Sequence, residues 1–273
     1  MSLLRLLLIA ALTLAAGLAA LAQPPAAQKK RLLAIAQSKG FQHDAISYAL
    51  GTIWKIGQES GVYDTFLRTD TELITKKKLP RNAKNLDYFD AVLFYTTGEL
   101  DMDTEQKADL LSFIRDDGKG FIGVHSAPDT FYQWPEYGEL IGGYFDGHPW
   151  NVFEAPIIVE DRDHPATRHL PRTLTVRDEI YQVRNFSRER VRVLMRLDET
   201  KLDYSVKGIK REDRDFAVTW VRRYGKGRVF YSSFGHVEAT WDRPDIQKMW
   251  LEGIKWAMGL TEGDATPRPR PAD

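Results

Sequence analysis

The sequence predicts an α/β protein: a mostly parallel sheet with helices on both faces and an added antiparallel subregion. Three observations carry this. Short apolar runs, residues 31–36 (RLLAIA) and 91–95 (AVLFY), alternate with stretches whose apolar residues fall at helical spacing. The runs lack internal polar alternation, as strands covered on both faces do. From about residue 150 to 194 the helical spacing stops, leaving short apolar segments such as 155–159 and 179–183 between loops.

In chain order, residues 31–36 form the first strand, bounded by Lys29, Lys30 and Ser38-Lys39-Gly40. Ile46, Leu50, Ile53 and Trp54 share one helical face, and Asp44 is placed to cap that helix. Residues 63–67 are a weaker strand, and 91–95 a strong one closed by Thr96-Thr97-Gly98. Asp103 with Gln106 reads as a capping box opening a helix with Leu110, Leu111 and Ile114 on one face and Gly118 past its end. The run 121–125 (FIGVH) follows as a strand ending in His125-Ser126. Residues 217–224 and 228–233, joined by Gly225-Lys226-Gly227, form a hairpin. A last helix over 244–258 places Ile246, Met249, Trp250, Ile254 and Ala257 on one face, with Gly259 beyond.

The first 22 residues, MSLLRLLLIAALTLAAGLAALA, combine Arg5, an apolar core and a small-x-small triplet, Ala20-Leu21-Ala22. This is the pattern of a secretory signal peptide cleaved before Gln23, and Gly17 with Pro24-Pro25 argues against a membrane anchor. A secreted or periplasmic chain with no membrane segment after cleavage is expected, as one domain over residues 31–260. The polar, proline-rich tail 261–273 is expected to be disordered.

The absence of cysteine excludes disulfides, thiolate catalysis and Cys-ligated zinc. Lys+Arg and Asp+Glu balance at 38 each, so no net field favours nucleic acid, and a small polar partner fits better. Neither a P-loop nor a Gly-x-Gly-x-x-Gly turn occurs, which argues against a nucleotide cofactor.

Open α/β sheets bind ligands at the carboxyl ends of their strands. Three of the six histidines, His43, His125 and His236, are expected there. Two chemistries fit the same residues. The imidazoles, with Glu179, Asp129 or Glu238, could hold a divalent metal such as zinc, or an imidazole could act as general acid or base with a carboxylate fixing its tautomer. Asp129 and His148, the latter in the glycine-rich stretch 142–149, are candidates for substrate binding. Tyr132, Trp134, Tyr137, Trp150 and Trp241 could offer platforms to sugar rings, although aromatics in a chain of this size commonly pack in the core. His164 and His169 sit in a proline-flanked stretch with no link to the sheet and stay outside the site.

The run 120–126 (GFIGVHS), then 134–137 (WPEY), 140–145 (LIGGYF) and Gly147-His148-Pro149, resembles the trehalose-utilisation (ThuA-like) family. Similar blocks are 41–44 (FQHD), 163–165 (DHP), 178–181 (DEIY), 224–229 (YGKGRV) and Gly235-His236, in order over roughly residues 31–260. The resemblance implies a flavodoxin-like fold related to class I glutamine amidotransferases. Those relatives carry a Gly-x-Cys-x-Gly elbow and a later His-x-Glu. Here the elbow reads Gly123-Val124-His125-Ser126-Ala127 and the later element His236-Val237-Glu238. Imidazole cannot form the usual thioester, which argues against glutamine amidotransferase activity, and Ser126 stands one residue out of register for a serine elbow. The resemblance also implies a carbohydrate or keto-sugar substrate. With it, the strand-end reading becomes a centre that isomerises, enolises or cleaves a keto-sugar, with His125, His236 and Glu179 catalytic, His43, His125 and His236 as metal ligands, and Trp134, Tyr137, Asp129 and His148 on the substrate. The alternative it leaves is a non-catalytic carbohydrate-binding protein whose amidotransferase-like site has decayed.

Overall fold

The computed structural model describes residues 28–271, so the expected leader, residues 1–22, lies outside the described residues. The amino-terminal half alternates as its periodicity predicts: β1 (Lys30–Ile35), α1 (Ile46–Ser60), β2 (Tyr63–Arg68), β3 (Ala91–Phe94), α2 (Thr104–Arg115) and β4 (Gly120–Val124). Every residue of β3 and β4 is buried, the consequence of cover on both faces. Side chains alternate between two cores, Leu32, Ala34 and Leu93 facing one, Leu33, Ile35 and Phe94 the other.

Local details follow from capping and phase. Asp103 accepts the Gln106 N–H at 2.8 Å and the Gln106 side chain accepts the Asp103 N–H at 3.1 Å, completing the capping box of α2. Asp44 makes no such cap: α1 starts from Ala45 without a side-chain acceptor. Trp54 is 48% exposed rather than buried. At about 100° per residue it lies roughly a quarter turn off the arc centred on Ile46, Ala49 and Ile53.

The region expected as an added antiparallel part extends the same sheet. β6 (Val152–Val159), β7 (Thr173–Glu179), β9 (Arg192–Leu197), β10 (Ala217–Tyr224) and β11 (Gly227–Ser232) join it in the order β2-β1-β3-β4-β11-β10-β9-β6-β7. The strands β2, β1, β3, β4 and β11 pair in parallel, and everything beyond β11 is antiparallel. Two short strands, β5 (Tyr144–Phe145) and β8 (Val183–Arg184), pair separately. The stretch 179–183 is not one strand. β7 ends at Glu179, and the chain then turns so that the Tyr181 N–H reaches Ser233 Oγ at 3.0 Å.

Between β4 and β6 lies the short helix α3 (Pro135–Ile141), and after β11 come α4 (Glu238–Trp241) and α5 (Pro244–Ala257). On α5 the expected face, Ile246, Met249, Trp250, Ile254 and Ala257, is buried. Gly253 is required there, since a Cβ would stand 2.6 Å from the Phe230 ring. No helix among the described residues is long and apolar enough to cross a membrane. The tail, expected to be disordered, takes up neither helix nor strand from Leu260 to Pro271, yet it is held to the body. Trp256 Nε1 donates to the Gly263 carbonyl (3.0 Å), Arg228 to that of Thr261 (2.8 Å), and Arg192 pairs with Asp264 (2.7 Å). Composition does not reveal partners that the folded body supplies.

Candidate metal centre

His125 follows β4 directly, with φ +41°, a left-handed conformation uncommon for a residue with a side chain. The elbow is held on each side: His125 N–H donates to the Ser232 carbonyl (2.8 Å), and its own carbonyl accepts the Tyr231 hydroxyl (2.8 Å). Its ring Nδ1 lies 2.7 Å from the Ser233 carbonyl oxygen. A carbonyl only accepts, so Nδ1 carries the proton and Nε2 presents a lone pair. That lone pair faces His236 Nδ1 at 3.2 Å and Glu179 Oε2 at 3.6 Å. Ser126 is fully buried and donates to the Thr96 carbonyl, so it is no nucleophile.

The other groups arrive from the same end of the sheet: His43 from the loop after β1, His236 from the loop after β11, and Glu179 from the last position of β7. β7 is four strands from β11 in pairing order, yet its end meets the loop after β11. Gly235, His236 and Val237 donate their N–H groups to Asp178 at 2.8, 3.0 and 3.2 Å. The three imidazole centroids are 4.9, 5.2 and 5.2 Å apart with ring planes nearly perpendicular. One ligand atom from each of His43, His125, His236 and Glu179 lies within 4.8 Å of all the others, so this cluster could hold a metal ion.

Burial pushes the His43 imidazole down to about 4, and the neighbouring His236 adds to this. Burial holds His125 well below the usual range for the same first reason. Both rings are therefore neutral near pH 7, the form that ligates metals. His236 is shifted up by its hydrogen bond to Glu179, whose Oε2 is 3.2 Å from His236 Nδ1. His43 Nε2 faces the Tyr181 hydroxyl at 3.3 Å, while its Nδ1 is buried with no hydrogen-bond partner. A ring with one unsatisfied nitrogen, beside a second ring whose tautomer a carbonyl fixes, suits a metal ligand set of imidazoles and one carboxylate. Three histidines with one carboxylate match borderline divalent ions rather than calcium or magnesium.

Solvent reaches the cluster across His236 and His148, whose side chains are 26% and 40% exposed against 0% for His125. His148 Nδ1 stands 3.3 Å from the second oxygen of Glu179 and 3.2 Å from Asn151 Oδ1, so this expected residue belongs to the rim. A cavity of about 800 Å³ adjoins His43, with Gln42, Asp44, Ser47, Arg68 and Thr69 in its wall. Phe41, 64% exposed, meets the His43 ring edge to face.

Other expected site residues lie elsewhere. Trp134 and Tyr137 are buried in one of the two cores, where Tyr137 donates to the Ala127 carbonyl, and neither offers a sugar platform. Trp241 is buried against Trp250, and Trp150 packs on Phe153 and Phe216. Asp129 stays outside the four-residue cluster. It accepts the Tyr132 hydroxyl at 2.5 Å, and burial raises its pKa. Glu238 is exposed at the start of α4, so the carboxylate facing His236 is Glu179. His164 and His169 are not part of the four-residue cluster: His164 packs against Trp256, and His169 Nε2 lies 2.9 Å from the Asp245 carbonyl oxygen. Sequence reasoning missed the roles of Tyr181, whose ring packs 4.4 Å from His125, of Ser233 and of Asp178. The block 178–181 held the only signal, and nothing in its local pattern points Asp178 and Glu179 at the loop after β11 or the Tyr181 ring at His125.

The chain belongs to the trehalose-utilisation (ThuA) family, whose model matches residues 31–257. No curated protein matches it. In structure it is similar to a ThuA-like protein from Bacteroides uniformis (TM-score 0.69, 18% identity, 86% of this chain and 94% of that one). It is also similar to a ThuA-like protein from Parabacteroides merdae (TM-score 0.67, 18% identity, covering 88% and 98%). A cytoplasmic protein from Salmonella typhimurium shares the fold more distantly (TM-score 0.53, 10% identity, covering 84% and 98%).

Proposed function

We propose that the chain is an exported, metal-dependent enzyme acting on a small carbohydrate, in particular a keto-sugar, at the centre formed by His43, His125, His236 and Glu179. The observation that carries the proposal is the convergence of these four side chains, with the Ser233 carbonyl holding His125 Nε2 as a lone pair toward the others. The family's description, trehalose utilisation, supports a sugar substrate, and the leader-like residues 1–22 support export. A divalent ion bound there would polarise a carbonyl oxygen or activate a water. The chain's own residues supply the rest. His148 and the exposed edge of His236 meet the substrate at the rim, Phe41 offers it an apolar face, and Glu179 holds a proton donor on either oxygen.

A metal-free reading is favoured by one observation, the 3.2 Å contact between His236 Nδ1 and Glu179 Oε2. The pair then exchanges a proton with the carbon beside a sugar carbonyl, with the carboxylate stabilising the imidazolium. The experiment measures bound metal and turnover of 3-keto-glucosides by the purified protein before and after chelation, with H125A beside it. Metal bound by the wild type and lost with turnover in H125A is expected. Unchanged turnover in H125A overturns the site, turnover that survives chelation selects the metal-free reading, and sugar binding without product under any metal condition selects a binding protein.

A further inference from the structure

Asp178 is fully buried and immediately precedes Glu179 at the end of β7. Its carboxylate receives four backbone N–H groups. Oδ1 accepts those of Glu179 (2.9 Å), His236 (3.0 Å) and Val237 (3.2 Å), and Oδ2 accepts that of Gly235 (2.8 Å). Three of these donors belong to the loop that carries His236. One buried side chain therefore stitches the strand end bearing Glu179 to the loop after β11.

The same loop aims the third partner. The Ser233 carbonyl accepts Nδ1–H of His125, and Ser233 Oγ accepts the Tyr181 N–H. Gly235, at φ +136°, accepts the hydroxyl of Tyr95 and the indole N–H of Trp241. Burying a carboxylate is costly, and an apolar residue here would leave the N–H groups without acceptors. Its particular capacity is to span several donors with two charged oxygens at once.

We infer that Asp178 is a positioning residue of the metal centre: it sets the separation of Glu179 from His236 and, through Ser233, the aim of His125. The inference rests on the metal reading above and adds to it the group that preorganises the ligands. Outer-shell partners of this kind typically change metal affinity by ~10–100-fold when replaced.

The test is D178N in the full chain, with cobalt(II) as the probe after chelation. Asparagine keeps the shape but turns one acceptor into a donor facing other donors. Cobalt affinity is expected to fall ~10–100-fold, the visible absorption of the bound ion to change, and amide exchange at Gly235, His236 and Val237 to accelerate. I254V, a core change on α5 that only lowers Tm, should move neither affinity nor spectrum. Wild-type affinity and spectrum in D178N, or a loss no larger than that of I254V, overturns the assignment. Should D178N not fold, D178E retains the charge but displaces it by one methylene, and is expected to weaken cobalt binding; unchanged binding would overturn the inference equally. If the wild type binds no cobalt, the metal reading fails, and the exchange measurement alone decides. Faster exchange in D178N then supports the positioning role, and retained protection overturns it.

Discussion

Two buried histidines in this chain look alike in burial and in the direction of their pKa shift, and differ in what surrounds them. His125 and His164 are 0% and 2% exposed, and burial is the first cause lowering the pKa of each. His125 has its tautomer fixed by a carbonyl and turns its free nitrogen toward His236 and Glu179. His164 accepts the Ala166 N–H on Nδ1 at 3.2 Å, leaves Nε2 buried without a partner, and packs against Trp256 beneath the tail. A Cβ on Gly263 would come within 2.8 Å of its ring. Burial and a depressed pKa are thus common to packing and to chemistry. Convergence of lone pairs separates them.

The largest expected effect breaks the comparison at His125. H125A should retain the helix and strand content of the wild type and lose divalent-metal affinity by more than the ~10–100-fold usual for outer-shell groups, read by titration calorimetry. Wild-type affinity in H125A would reduce His125 to a second His164. Next, H164A should do the reverse, lowering unfolding stability by ~1–3 kcal/mol in urea while metal affinity stays unchanged. A change in affinity there would show that the tail socket and the centre are coupled.

A pH titration of stability in chelator sharpens the same contrast. His164 protonates near 4 in the folded chain and near 6.5 when unfolded, so the unfolded state binds more protons between these values. Its stability contribution is present above pH 6.5 and is lost as pH falls toward 4. His43 behaves alike, also at about 4. Asp178 opposes them. Burial raises it to about 6, so it contributes stability below its ordinary value that is lost as pH rises through 6. Net loss on acidification from 6.5 to 4 is expected, and H164Q should flatten it by up to ~1.4 kcal/mol per pH unit. A slope in H164Q equal to the wild type would mean that His164 titrates normally. The smallest effect belongs to the rim: H148A, removing a 40% exposed side chain, should change metal affinity by no more than about threefold, since exposed charge contacts are weak.

Much of the parallel half was legible. The apolar runs of β1, β3 and β4, the Asp103–Gln106 box and the face of α5 are set by local period and capping, which act over a few residues. The antiparallel half was legible only as a class, because its strands join the main sheet in an order that no local pattern encodes. Trp134 and Tyr137 were misread for a related reason: an aromatic beside a glycine-rich turn looks the same whether the turn opens to solvent or folds over a core.

By itself the sequence determined that His43, His125 and His236 stand at strand ends and that no thiol stands at the elbow, since strand period and residue identity are local properties. Only the tertiary structure decided that the carboxylate among them is Glu179 and not Glu238. Glu238 lies two residues from His236 but opens α4 into solvent, whereas Glu179 arrives from the far edge of the strand order. The end of that edge strand meets the loop after β11, and Asp178 ties it there through the loop's own backbone.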